Sequence, residues 1–77
     1  LEVESVVINH LDGTVNNFKK GDGFMLKTIE SIEINEKLLQ IKLKLEKNEF
    51  LVFPMSSMIS YSYFKEPLRP QIESIQL

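Results

Sequence analysis

The chain has 77 residues, with nine Lys and Arg against eleven Asp and Glu, a net charge of −2 and no cysteine. That length allows one domain whose single core is only just large enough, so association would help it. The missing cysteines exclude disulfide staples, zinc ribbons and thiol chemistry, and the acidic balance is not the footprint of a dedicated duplex-binding protein. No apolar run approaches the ~20 residues of a membrane span, and no basic segment leads into an apolar signal core. The expectation is a soluble, cytoplasmic protein without a membrane partner.

Residues 2–10 read as a first strand rich in β-branched residues, with Val3 and Val7 on one side and Val6 and Ile8 on the other. Leu11-Asp12-Gly13-Thr14 follows as a turn, because Gly takes the positive φ that most residues avoid. Residues 14–18 form a short strand or loop arm. Lys19-Lys20-Gly21-Asp22-Gly23 holds two of the three glycines and reads as a mobile surface loop, and as the hinge or lid of any ligand site. In residues 24–34, Phe24, Leu26, Ile32 and Ile34 share one parity while Met25 and Ile29 take the other. A bulge within residues 28–31 reconciles them; a helix competes, since Ile29, Ile32 and Glu33 also fit helical spacing, but the β-branched residues favour the strand.

Asn35-Glu36-Lys37 makes the next turn and introduces residues 39–54, the centre of the chain. Leu39, Ile41, Leu43 and Leu45 alternate with Gln40, Lys42, Lys44 and Glu46, which predicts a strand with one dry face. Lys47 and Asn48 turn the chain back into Phe50-Leu51-Val52-Phe53, apolar at every position. A two-residue turn sets Phe50 and Val52 opposite the leucine row; a three-residue turn sets Leu51 and Phe53 there. Either way two large side chains face outward and need cover from a closed barrel, a second layer or a partner. After Pro54, Met55-Ser56-Ser57 predicts one 3₁₀ turn, and residues 58–64 a last strand with Ile59, Tyr61 and Tyr63 opposed by Met58, Ser60, Ser62 and Phe64. Pro67 and Pro70 interrupt regular structure, and the tail 71–77 keeps Ile72, Ile75 and Leu77, which suits docking on its own domain or a neighbour. The domain division is therefore 1–64 for a small β-domain and 65–77 for a C-terminal extension.

The order of strand, long loop, strand, short turn, strand, tight hairpin, strand, 3₁₀ turn and strand resembles the SH3-like small barrel. Val52-Phe53-Pro54-Met55-Ser56-Ser57-Met58-Ile59 is the part most similar to the strand, proline, serine-containing turn and final strand that close such barrels. The resemblance implies an all-β, five- or six-stranded barrel over residues 3–64, and it is a likeness to a superfold that hosts many functions. The chain has no tryptophan and its first loop is rich in Gly and Lys, so the residues of proline-peptide binders do not carry over. Asp12-Gly13-Thr14 after an apolar strand also suggests an Sm-like ring, though without its N-terminal helix, and an OB-type barrel fits loosely.

The inventory for catalysis is thin. His10 is the single imidazole; with Asp12 it needs Asp22 and Glu4 to make a metal site, and a surface histidine at a strand end is the simpler reading. Ser56, Ser57, Ser60 and Ser62 have no base placed beside them, and Gly21-Asp22-Gly23 lacks the Gly-Lys-Ser/Thr ending of a P-loop. No catalytic residue, metal ligand or cofactor is assigned. The expected function is a non-catalytic, self-associating protein-interaction module with Phe53, Tyr61, Tyr63, Ile72 and Ile75 as contact residues; an inhibitor or adaptor of the kind mobile elements encode fits the size. The alternative is nucleic-acid binding through Lys42 and Lys44 with Lys19, Lys20 and Lys47 near them, the tyrosines stacking on bases. Interspersed glutamates favour a plain solvated face instead. A small-molecule-binding module closed by the glycine loop is the third possibility.

Overall fold

A computed structural model describes residues 1–66; the proline pair and the tail with Ile72 and Ile75 lie outside the described residues. Eight strands run in order: β1 (Glu2–Val3), β2 (Ser5–His10), β3 (Val15–Lys19), β4 (Gly23–Phe24), β5 (Lys27–Asn35), β6 (Gln40–Leu45), β7 (Glu49–Pro54) and β8 (Met58–Phe64), with 3₁₀ turns at Glu46–Asn48 and Met55–Ser57. The fold is all-β, as the alternation predicts, and every pairing is antiparallel. One sheet has the order β1-β5-β6-β7 with β4 also beside β5, and the other has the order β3-β2-β8.

The first strand departs from its predicted parity. Val3 is buried together with Val6 and Ile8, and Val7 lies on the opposite side. The cause is a corner at Glu4. β1 pairs with β5, whereas β2 pairs with β3 and β8, so the chain changes sheets between Val3 and Ser5. Glu4 anchors the corner by donating its N–H to Phe64 O at 2.8 Å and accepting from Lys20 N at 2.9 Å. At a corner the inward direction rotates, which lets residues of both parities enter one core.

The predicted bulge is present. Pairing of β5 with β6 shifts between Ile29 and Ser31, leaving Glu30 unpaired, so Ile29, Ile32 and Ile34 all point inward. Residues 24–34 are not one strand, however. They break at Met25 and Leu26, both at positive φ (52° and 69°), which close a two-residue hairpin in which Phe24 pairs with Lys27. This is the geometry that Asn-Gly usually fills, and with Met and Leu in it there is no turn signal to read.

The central hairpin takes the three-residue alternative. Leu45 pairs with Glu49, Leu43 with Leu51 and Ile41 with Phe53, with Lys47 and Asn48 both left-handed at φ 64° and 59°. Leu39 corrects the predicted dry face. It sits at φ 54° in the turn before β6, is exposed, and its carbonyl accepts from Met55 N at 2.8 Å. The core thus consists of rows across the large sheet, Val3–Ile32–Leu43–Leu51, Ile34–Ile41–Phe53 and Ile29–Leu45, facing Val6, Ile8 and Phe18 of the small sheet. Phe18 joins the layers, with ring centroids 5.5 Å from Phe53 and 5.4 Å from Phe24. Among the described residues no polar or charged side chain is buried.

Ile41→Ala should cost about 3 kcal/mol in urea unfolding, the loss of a fully buried branched side chain plus its cavity. Leu26→Gly should raise stability by about 1 kcal/mol, because a fully exposed side chain is removed from a left-handed position that glycine occupies freely.

Candidate functional site

Residues facing each other on antiparallel strands share a side of the sheet. The three-residue turn therefore sends Leu51 and Phe53 inward and places Phe50 opposite Lys44 and Val52 opposite Lys42 on the outer face. β5 continues these rows, with Ser31 opposite Lys44 and Glu33 opposite Lys42. The Lys42 ammonium lies 5.3 Å from the Phe50 ring centroid, a cation–π contact worth about 0.5–1 kcal/mol at an exposed site. Lys44 reaches the Glu30 carboxylate at 3.6 Å. Phe50 and Val52 stay 54% and 46% exposed, an apolar pair covered by no layer among the described residues.

β7 is also the last strand of its sheet, and among the described residues its outer edge has no strand partner. Terminal strands commonly carry internal charge, proline or a bulge that discourages further pairing. β3 has Asn16, Asn17 and Lys19, and β8 has Ser60 and Ser62 with a register shift opposite Asn9 and His10 that skips Ile59. β7 has four consecutive apolar residues, Phe50 to Phe53, with Glu49 and Pro54 only at its ends.

The predicted contact residues separate. Phe53 is half-buried and packs against the core cluster between Phe18 and His10, whose ring centroid is 5.7 Å away. Tyr61 and Tyr63 stack with centroids 6.5 Å apart and planes 26° apart. They stand opposite Ile8 and Val6, so they extend the inner face of the small sheet to its β8 edge, where Tyr63 is 44% exposed. Burial raises the Tyr61 phenol above the ordinary tyrosine range, with Glu36 and Tyr63 adding to the effect. Ile72 and Ile75 lie outside the described residues.

Nor do the five lysines form one row. Lys42 and Lys44 share the large sheet's outer face, Lys19 stands opposite Ser5 on the small sheet, Lys20 is at the corner by Glu4, and Lys47 is in the hairpin turn. The glycine loop is a pinned turn: Gly21 N donates to Ile29 O, Ile29 N to Asp22 O and Asp22 N to Lys19 O, at 2.8–3.0 Å.

His10 and Asp12 do not act as a pair. The His10 Nε2 meets Asn16 Oδ1 at 2.6 Å, and Asp12 Oδ1 accepts from the Thr14 N–H at 2.9 Å and its hydroxyl at 2.6 Å. Those bonds hold the Asp12 carboxyl below its usual value, the sign of a turn-capping role. Among the described residues no group of three or more His, Cys, Asp or Glu is placed to hold a metal ion, and no helix is long and apolar enough to cross a membrane.

Sequence reasoning missed the exposed residues of the turns and strand ends, chiefly Met25 and Leu26, and left Phe50 and Val52 undecided. Phe24, Met25, Phe50 and Leu51 line a shallow cleft where the β4–β5 hairpin meets β7, closed at one side by the Lys27–Glu49 ion pair. Only the turn length would have placed Phe50 there, and nothing local fixes it. Comparison with protein-family models, curated proteins and solved structures finds no match to this chain.

Phe53→Ala should lower stability by about 3 kcal/mol in chemical unfolding. A neutral Tyr61 phenol contributes stability that is complete below the ordinary tyrosine range and lost as pH rises through the raised folded value. Ultraviolet titration should show the Tyr61 phenol ionising late, and Tyr61→Phe should abolish that phase and reduce the alkaline loss of stability.

Proposed function

We propose that this chain is a non-catalytic protein-interaction module that self-associates, acting as an adaptor or inhibitor, with the outer face and edge of β7 as its contact surface. The observation that carries this reading is the pair Phe50 and Val52, large, apolar and uncovered on a terminal strand whose charge and proline stand only at its two ends. A strand apolar on both faces suits a site where one face packs inward and the other meets a partner.

The strand order supports an SH3-like barrel at the finer level. A first strand is shared between sheets, an excursion through β3 and β4 leads to the β5-β6-β7 meander, and a 3₁₀ turn delivers the last strand to pair with the first. The scattered lysines, with Lys44 beside Glu30 and Lys42 beside Glu33 in its row, weigh towards protein contacts over a phosphate-tracking groove. The pinned glycine turn weighs against a lid over a small ligand.

Light scattering at low and high salt should return a mass above the monomer that changes little, since apolar contacts are not screened. A chain that stays monomeric at every concentration and binds single-stranded oligonucleotides with an affinity falling steeply in salt would sink the proposal.

A further inference from the structure

We infer that the partner of β7 is a second copy of β7, added antiparallel about a two-fold axis at Leu51 so that the two large sheets become one. This rests on the self-association reading above and specifies its geometry. Opposed residues on antiparallel strands must share a face, so an axis between two residues would pair an inward side chain with an outward one. The axis must therefore pass through a residue. At Leu51 it sets Phe50 of one copy opposite Val52 of the other, twice, and Leu51 opposite itself. Aromatic and β-branched side chains are favourable cross-strand pairs. An axis at Val52 would put Phe50 opposite Pro54, which has no N–H to give, and an axis at Phe50 would put Val52 opposite the turn residue Asn48.

Charge agrees with this occupant, and area limits its strength. The joined outer face reads Lys44, Phe50, Val52 of the second copy and its Lys42, so the lysines flank the apolar centre and do not oppose one another. Glu49, the one charge on the strand, is held by Lys27. Phe50 leaves uncovered about half of the roughly 200 Å² that a phenylalanine can bury. A short strand with two such side chains falls below the ~800 Å² per partner of a standard interface, so the dimer dissociates on dilution. β8 is the weaker candidate, because its bulge at Ile59 and its serines interrupt a matching ladder.

The full chain has no cysteine, so a single introduced thiol reports its own neighbour. Leu51→Cys should form a disulfide-linked dimer under mild oxidation, while Val15→Cys on β3 should not. In case Leu51→Cys perturbs folding, Val52→Glu provides the second arm. Facing Lys42 and half-exposed, it should keep the circular-dichroism spectrum of the parent and return the mass to a monomer at concentrations where the parent is a dimer. Backbone amides of β7 should gain exchange protection as concentration rises. A monomeric mass throughout overturns both this inference and the self-association reading. A monomer whose β7 amides are protected at all concentrations means that another part of the chain occupies the edge. Association without a Leu51→Cys cross-link, or association indifferent to Val52→Glu, overturns the β7 pairing alone. A closed assembly larger than a dimer means heterologous pairing, such as β7 on β8, and also overturns it.

Discussion

The length of the turn between β6 and β7 decides which half of the strand Phe50-Leu51-Val52-Phe53 is buried. Every residue of that run is apolar, so the run itself expresses no preference for a face. Glu46, Lys47 and Asn48, the latter two in the left-handed region, impose a register in which Leu51 and Phe53 complete rows begun by Leu43 and Ile41. Shortening the turn by one residue would exchange the two pairs. Phe53 would leave the position where it meets Phe18, and the aromatic contact between the sheets would be lost. The outer apolar pair is thus a geometric remainder of how the core is filled.

Two irregularities do the same kind of work elsewhere. The corner at Glu4 lets one strand serve both sheets, and the bulge at Glu30 turns Ile29 inward alongside Ile32 and Ile34. Without them, strict alternation would send Val3 or Ile29 into solvent. The buried centre of the resulting core is aliphatic apart from Phe18, with no buried polar group among the described residues. No hydrogen bond or ion pair inside it selects a register, so selection falls to the turns and corners.

The strand content was readable because period-two alternation is strong in residues 39–46 and 58–64, and β-branched residues dominate residues 2–10. The 3₁₀ turn after Pro54 and the Asp12-Gly13 turn were readable because proline, serine, aspartate and glycine each carry a local conformational reason. What failed was local chemistry without such a reason. Met25, Leu26 and Leu39 adopt positive φ although nothing in their side chains favours it, and the surrounding pairings impose it. The candidate surface was only half readable, since Phe53 and Phe50 differ in burial solely through the register. Tyr61 and Tyr63 were placed on the correct strand, but their side of it follows from pairing with Ile8 and Val6, a partnership between opposite ends of the domain.

That partnership also sets an order of events in folding. The β5-β6-β7 meander joins neighbours in sequence and can form as soon as residue 54 is available. β2 cannot find β8 until nearly the whole domain has been synthesised, since Ser5 pairs with Phe64. Loop-closure entropy makes such end-to-end pairing the slow step. Until it forms, Val6 and Ile8 have β3 on one side only, and the other edge of their strand stays open to water and to other chains.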